Sequence, residues 1–404
     1  MKTPSLALIP SAYSSEKVYS VLPSNGDGDF TFTREGASGQ PNSTRVNKDG
    51  LIEEVNSNMP RLDYTDGSCP SLLLENQSTN LLPYSEDFSG WTNFFSTDSF
   101  GSISPSGDTS ATTVTDDGNG GVSGNIIIQK NGVAVSASTK YTFSCFLKPN
   151  PNNIIEFKTA NDNISVGGNW DLSTQVFTPY NSETGSVELI SNNWYRASIT
   201  WTTGTDTSIA LRVGFPHVLR DGSNSFDIWG AQLEESSITS SYIPTDTAIA
   251  TRLMDQASND FSSQPTVANT STLVLKFIPM GFDNDFYDLL RFSNGTNFLR
   301  MEGYLTDRYN VFGNGLTSSG MIDGVFQLDA GSVNTISFSY SGTSLIFSHN
   351  GSTIATTTPT GNLPTITEIL HTAGGLSSPI KILKLEVYND FKTQEELNSL
   401  TNSN

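Results

Sequence analysis

Apolar and polar residues alternate along much of this chain, and this alternation predicts strands rather than helices. In the middle of the chain, two runs each place four apolar side chains on one face: Tyr195, Ala197, Ile199 and Trp201, then Ile209, Leu211, Val213 and Phe215. Residues 140–147 place Tyr141, Phe143 and Cys145 on one face and Phe146 on the other. Residues 226–233 are apolar on both faces, as expected of a central strand. Evenly spaced strands of this kind predict a β-sandwich or jelly roll over residues 85–250.

The last third of the chain predicts a second sandwich, over residues 260–404. Asn350-Gly351 is the strongest short-range hairpin signal, because both positions tolerate positive φ. In the closing strand, from Ile380 to Tyr388, we expect three side chains to point inward: Leu383, Leu385 and Val387. One helix is predicted at the C-terminus. Thr393 and Glu396 form its capping box, and Leu397 and Leu400 form its apolar face.

Residues 1–84 are punctuated by proline and glycine. Strands are predicted at 29–33 and 72–74, and a hairpin at 45–55 around Asp49-Gly50. The alternating apolar surface is too small for an independent core, so we expect an extended arm that packs on its own copies or on a larger assembly. The predicted fold class is therefore all-β, with two sandwich domains in tandem preceded by an N-terminal arm.

Composition and charge exclude several functions. The 404 residues carry 41 acidic and 21 basic side chains, a net charge of −20, which argues against nucleic acid and anionic membranes as partners. No apolar run is long enough for a membrane span, and the N-terminal run is too short for a secretory signal, so we expect synthesis in a cytoplasm without export. Cys69 and Cys145 exclude a disulfide framework and are expected to be small buried residues.

Three segments of the middle block resemble a module of tailed-bacteriophage fibre and other virion proteins. They are Asn169–Thr174 (NWDLST), Asn193–Thr200 (NWYRASIT) and the long string from Gly230-Ala231-Gln232-Leu233-Glu234-Glu235 through Ser241–Thr245 to Thr251-Arg252. Thr44–Asn47, Cys69–Glu75 and Thr79–Leu82 are similar to segments that precede this module. The last block resembles concanavalin A-like, laminin-G-type sandwiches, through the Asn350-Gly351 hairpin and Ile382–Asn389.

These resemblances imply a virion surface protein, either a tail fibre or a capsid-surface (head) fibre or decoration, with jelly rolls of the carbohydrate-binding type. We expect residues 1–84 to dock to other virion proteins and the two sandwiches to bind host-surface glycans through many copies. By analogy with phage fibres, the protein is expected to form a homo-oligomer, and the oligomer expected is a trimer. Two alternatives stay open: a polysaccharide depolymerase, and a cement protein without a ligand.

The candidate glycan-binding residues are Trp194 and Arg196. They share the strand face opposite Tyr195, and an exposed indole can stack on a sugar. Packing against another strand or subunit is the alternative for Trp194. The other four tryptophans lie in patterns expected of a core: Trp91, Trp170, Trp201 and Trp229.

Catalysis and cofactors are not expected. A glycoside hydrolase needs two carboxylates on one cleft, and neither a Glu-X-Asp-X-X-Glu strand nor a Gly-X-Ser-X-Gly elbow occurs. The three histidines lack metal-ligand spacing and are expected to be structural or solvated: His217, His349 and His371. A structural calcium ion at residues 25–29 or 116–119 is the alternative to simple turns there.

Overall fold

The computed structural model describes residues 3–34, 43–160, 166–260, 270–281, 286–293, 298–304, 308–313, 321–322, 328, 330–358, 368–371 and 379–402. Within them the strands are β1 (Leu6–Leu8), β2 (Tyr13–Ser14), β3 (Lys17–Val18), β4 (Phe30–Thr33), β5 (Thr44–Val46), β6 (Ile52–Glu54), β7 (Arg61–Asp63), β8 (Ser71–Leu74), β9 (Ser78–Asn80), β10 (Thr92–Phe94), β11 (Ser96–Ser102), β12 (Ala111–Asp116), β13 (Ser123–Ala134), β14 (Lys140–Asn150), β15 (Ile154–Ala160), β16 (Gly167–Asp171), β17 (Val176–Pro179), β18 (Val187–Leu189), β19 (Tyr195–Thr202), β20 (Ser208–Leu219), β21 (Ser225–Glu234), β22 (Ala250–Arg252), β23 (Gln256–Asp260), β24 (Thr270–Pro279), β25 (Phe286–Ser293), β26 (Phe298–Tyr304), β27 (Arg308–Gly313), β28 (Met321–Ile322), β29 (Asn334–Ser341), β30 (Ser344–His349), β31 (Ser352–Thr357), β32 (Glu368–His371) and β33 (Ile380–Tyr388). The helix is α1 (Gln394–Thr401).

The all-β fold class predicted from the alternation is confirmed, and the strands belong to two compact units. The first unit comprises Met1–Gln40, Val55–Gln77 and Leu253–Asn404, and the second comprises Pro41–Glu54 and Ser78–Arg252. The units are thus interleaved along the chain rather than simply successive.

The second unit contains two six-stranded antiparallel sheets. Their strand orders are β10-β13-β20-β15-β16-β17 and β11-β12-β21-β14-β19-β18. The predicted alternating faces of β19 and β20 pack into one core together with side chains from both sheets. The sheets therefore form a sandwich, as the period-two pattern requires when one face of each strand is buried.

A bulge in β21 changes which residues of this strand face the core. Phe146 pairs with Trp229 and Ser144 pairs with Gln232, so two residues of β21 lie opposite one residue of β14. Gly230 supplies the left-handed backbone conformation, with φ of +62°. Because the extra residue shifts the alternation, the core side chains occupy even positions before the bulge and odd positions after it: Phe226, Ile228, Ala231 and Leu233.

A second apolar cluster lies on the other face of the β12-β21-β14 part of this sheet. The predicted hairpin around Asp49-Gly50 is present as β5 and β6, and it contributes Val46 and Ile52 to the cluster. The sheet and the segments beside it contribute Ala111, Phe146, Trp194, Trp229 and Tyr242. The hairpin therefore covers an outer face that would otherwise expose large aromatic rings.

The first unit contains an eight-stranded and a nine-stranded sheet. The first has the order β31-β30-β29-β24-β33-β8-β7 with β1 paired to β33, and the second is β2-β3-β4-β23-β32-β25-β26-β27-β28. The predicted hairpin turns at Asn350 and Gly351, with φ of 45° and 80°. The predicted helix is α1; it has its capping box and packs on β29, β30 and β31 through buried Leu397 and Leu400.

The inward face predicted for the closing strand is correct for Leu385 and Val387 but wrong for Leu383. Lys276 pairs with Lys384 and the next residue, Phe277, pairs with Ile382, so Leu383 is the extra residue of a bulge. Leu383 is half-buried, whereas Ile382 and Leu385 on either side of it belong to the core.

In the first 84 residues the structure departs from an extended arm. Strands β1–β4, β7 and β8 belong to the sheets of the first unit, while β5, β6 and β9 belong to the second. Seven of its apolar side chains are buried in the core of the first unit: Leu6, Leu8, Phe30, Phe32, Leu62, Leu72 and Leu74. The reason is that its thin apolar surface is completed by strands more than 200 residues away in sequence, such as β4 pairing with β23. Its docking to virion proteins stays a prediction.

Candidate functional site

A cleft of about 530 Å³ opens in the second unit, where β14 begins and β19 ends. The connection from β17 to β18 forms one wall, and single residues before β16 and after β21 complete the lining. The lining residues are Lys140, Val166, Asn181, Ser182, Glu183, Thr184, Thr200, Trp201, Thr202 and Ser237. The cleft thus combines hydroxyl, amide and ammonium groups over a small apolar base.

The wall formed by residues 181–184 is fixed by the carboxylate of Glu183, which is 6% exposed. One oxygen accepts a hydrogen bond from the Gly167 N–H at 3.0 Å, and the other accepts from the Asn181 N–H at 2.7 Å. Thr184 and Thr200 exchange two backbone hydrogen bonds, of 3.1 and 2.8 Å. The wall is therefore held in place before any ligand arrives, which lowers the entropy cost of binding.

The base of the cleft is buried and the rim is exposed. Trp201 is 4% exposed and packs with Tyr141 at 6.3 Å between ring centroids, and Val166 is also buried. Thr200 is held through its hydroxyl, 2.7 Å from that of Thr142. The exposed rim consists of Lys140, Asn181, Ser182, Thr184 and Thr202. Such a rim can donate and accept hydrogen bonds with a polyhydroxylated ligand.

Trp194 and Arg196, the residues singled out in the sequence, lie outside this cleft. Trp194 is 1% exposed within the aromatic cluster under the β5–β6 hairpin. The Arg196 guanidinium lies 5.3 Å from the centroid of the Phe146 ring and donates to the Ser144 hydroxyl at 3.3 Å. Because the Trp194 ring is buried in this cluster, it offers no face for sugar stacking in this structure. The packing alternative describes its environment.

The burial of the other four tryptophans and the two cysteines tests whether they occupy the predicted core positions. The prediction of a core position is confirmed for Trp91, Trp170, Trp201 and Trp229, which are all at most 9% exposed. Cys145 is buried as predicted, and burial raises the pKa of its thiol. The prediction is wrong for Cys69, which is exposed in the turn between β7 and β8.

The histidines and acidic loops have structural surroundings. His349 Nε2 lies 2.8 Å from the Asn334 amide oxygen, His217 is exposed, and the side chain of His371 lies outside the described residues. Asp116 accepts hydrogen bonds from the N–H groups of Gly118, Gly222 and Asn224. Among the described residues, no cluster of three or more His, Cys, Asp or Glu side chains could hold a metal ion. No helix in the described ranges is long and apolar enough to cross a membrane.

No motif in the sequence indicated the cleft. Its residues come from five separate places between 140 and 237, and a polar loop such as Asn181–Thr184 resembles any other turn in a chain rich in serine, threonine and asparagine. The residue that could have indicated the cleft is Glu183. It is an acidic residue between two short strands, and its carboxylate caps backbone N–H groups.

No protein-family model matches this chain, and no curated protein matches it by sequence. Solved structures that resemble it include the CBM40 module of the Ruminococcus gnavus IT-sialidase bound to α2,3-sialyllactose (16% identity, 33% of this chain and 83% of that one, TM-score 0.28). A second is domain 4 of AbnA, a GH43 extracellular arabinanase from Geobacillus stearothermophilus, in complex with arabinotriose (14% identity, 40% of this chain and 81% of that one, TM-score 0.28). A third is Trypanosoma rangeli sialidase in complex with sialic acid (11% identity, 92% of this chain and 77% of that one, TM-score 0.30). At these scores the likenesses carry no argument about ligand or activity.

Proposed function

We propose that the protein binds carbohydrate through the cleft in its second unit and acts as an adhesion protein. The observation that carries the proposal is the combination of a preordered wall, residues 181–184, with exposed hydroxyl groups and one ammonium group around an apolar base. Sugar hydroxyls both donate and accept hydrogen bonds, and the serine, threonine and asparagine side chains of this lining do the same. A small cleft of this kind gives weak single-site binding.

We propose binding without cleavage. Among the residues that line the cleft, Glu183 is the single carboxylate, and both of its oxygens accept backbone N–H bonds. Hydrolysis of a glycosidic bond by the usual routes requires two carboxyl groups roughly 5–10 Å apart, one of them protonated as an acid. Glu183 instead has the surroundings of a structural residue.

The proposed setting is the surface of a tailed-phage particle, as a tail fibre or a capsid-surface fibre or decoration. The support is the resemblance carried by Gly230–Glu235 and Ser241–Thr245. Residues 1–84 would contact other virion proteins. A homo-oligomer such as a trimer would present several copies of the cleft. Weak sites then act together through effective concentration. Immunogold labelling of intact particles with an antibody to residues 273–404 tests this setting, and unlabelled particles would overturn it.

The cleft is tested with the purified chain on a glycan array. Ser182→Trp places a large ring on the exposed rim and should abolish the signals of the wild type. The control is Leu189→Trp, which adds the same ring at an exposed position of β18 outside the lining. Equal loss in both variants, or none in Ser182→Trp, would reject the cleft. A reducing-sugar assay on every bound polysaccharide should stay at background, and release of reducing ends would favour the depolymerase alternative.

A further inference from the structure

Two exposed phenylalanines mark a corner of the second unit. Phe94 ends β10, which belongs to one sheet, and β11 starts at Ser96 in the other sheet. Phe95 is the residue between them and adopts φ of +55°, a conformation uncommon for a bulky side chain. The Phe95 side chain is 53% exposed and that of Phe94 39%. The corner therefore turns two aromatic rings toward solvent.

An arginine lies against each of these rings. The Arg220 guanidinium is 4.1 Å from the centroid of Phe95, and that of Arg212 is 5.8 Å from the centroid of Phe94. Arg220 is itself fixed by Asp117, which it contacts through Nε at 2.8 Å and through Nη2. The Asp117 N–H in turn donates to the Phe95 carbonyl at 3.1 Å. The Arg220 guanidinium, fixed by Asp117, therefore lies against the Phe95 ring and restricts its rotation. The exposed part of the ring would lose little conformational entropy on binding a ligand.

We propose that Phe95, with Phe94 beside it, is a second carbohydrate-contact surface that stacks on the apolar face of a neutral sugar ring. Exposed aromatic rings of restricted mobility contribute contact area at low entropy cost. Exposed Asn93 directly precedes Phe94, and exposed Asn119 follows Asp117 by two residues; both side chains can bond sugar hydroxyls. We call this surface the Phe95 platform.

Other occupants fit the platform less well. A stable dimer buries about 800 Å² and roughly 20–30 residues on each partner, whereas the exposed apolar side chains here are few: Phe94, Phe95, Val122 and Leu219. An anionic ligand would have to compete with Asp117 for the Arg220 guanidinium. A neutral sugar meets none of these obstacles.

The platform and the cleft lie at opposite ends of the same sandwich. Strand β14 runs 11 residues from Lys140 at the cleft to Asn150, which pairs with Ser225. Ser225 pairs with Thr115, two residues before Asp117. At about 3.3 Å per residue the two sites are roughly 30 Å apart, so one long polysaccharide can touch both. The platform shares its ligand class with the proposed function and does not depend on the cleft.

The test is saturation-transfer difference NMR on the full chain, with linear hexasaccharides of glucose, galactose and mannose as separate probes. Phe95→Ala should weaken binding of at least one hexasaccharide about tenfold, the scale expected from loss of one aromatic contact. The matched control is Phe100→Ala: Phe100 is 59% exposed on β11, and no guanidinium of the described residues lies over its ring. It should change binding less than twofold. Thermal melting monitored by fluorescence checks that each variant is folded.

The outcomes separate the two sites. Binding that persists in Ser182→Trp and is lost in Phe95→Ala supports the platform and rejects the cleft. Binding lost in Ser182→Trp and unchanged in Phe95→Ala rejects the platform and supports the cleft. The platform is also rejected if no hexasaccharide binds the wild type, or if sedimentation velocity shows self-association that Phe95→Ala abolishes.

Discussion

Arg61 and Asp255 lie 194 positions apart in the sequence and form an ion pair in which both side chains are fully buried. Arg61 also donates to Glu75 at 2.6 Å, and Asp255 accepts from Arg34 at 2.8 Å. The Glu75 N–H donates to Asp255 as well, at 2.9 Å. These two arginines and two carboxylates join the end of β4, strand β7, the end of β8 and the start of β23 within the first unit.

Replacing Arg61 by Met should destabilise the first unit by about 3–5 kcal/mol, because it leaves Glu75 and Asp255 buried with too little positive charge. Urea titration followed by far-UV circular dichroism measures this. Lys17→Gln is the comparison, since Lys17 is half-exposed and lies 3.5 Å from Asp29. That variant should lose no more than about 1 kcal/mol. Equal losses in the two variants would contradict the importance of the buried network.

Trp194→Ala should act on stability and not on ligand recognition. Removing a fully buried indole from the cluster under the β5–β6 hairpin should lower the free energy of unfolding of the second unit by about 3–5 kcal/mol. All five tryptophans belong to this unit, so fluorescence of the remaining four reports on its unfolding. Unchanged stability with lost glycan binding would restore Trp194 as a ligand platform.

Gly230→Ala tests the bulge in β21. A Cβ at this position would lie 2.9 Å from the Phe146 ring, and the backbone φ of +62° is unfavourable for alanine. The expected loss is about 2–4 kcal/mol, measured by fluorescence-monitored urea unfolding. Gly132→Ala separates the two causes, because its φ is +66° with no atom within 4 Å of the added Cβ. It should lose only about 1–2 kcal/mol.

The stability of the first unit should fall as the pH drops from about 6.5 toward 4. Burial lowers the pKa of His349 to about 4, from 6.5. The unfolded chain therefore binds the proton first on acidification, so the contribution of neutral His349 is fully present above pH 6.5 and is lost by about pH 4. His349→Gln keeps a hydrogen-bonding group opposite Asn334 and should show a smaller decrease in melting temperature between pH 7 and pH 5 than the wild type. An equal decrease would assign the pH dependence to other groups.

Much of the local structure follows from the sequence. Alternation in residues 195–201 and 209–215 predicted two core strands, Asn350-Gly351 predicted a hairpin, and Thr393 with Glu396 predicted a capped helix. Each depends on contacts within a few residues, where side-chain period, φ preference and capping act directly. The candidate site did not follow in the same way. Trp194 was chosen for its place on a strand, and a hairpin about 140 residues earlier buries it.

The sequence by itself therefore determined that this protein is built of strands and where two of its hairpins turn, at Asp49-Gly50 and Asn350-Gly351. Tertiary structure decided which residues face the core after a bulge, as at Leu383 and Gly230, because one extra residue reverses the alternation. It also decided that the first 84 residues complete two units, through pairings such as β4 with β23 and ion pairs such as Arg61 with Asp255. These choices depend on burial shared between distant segments, which no local pattern encodes.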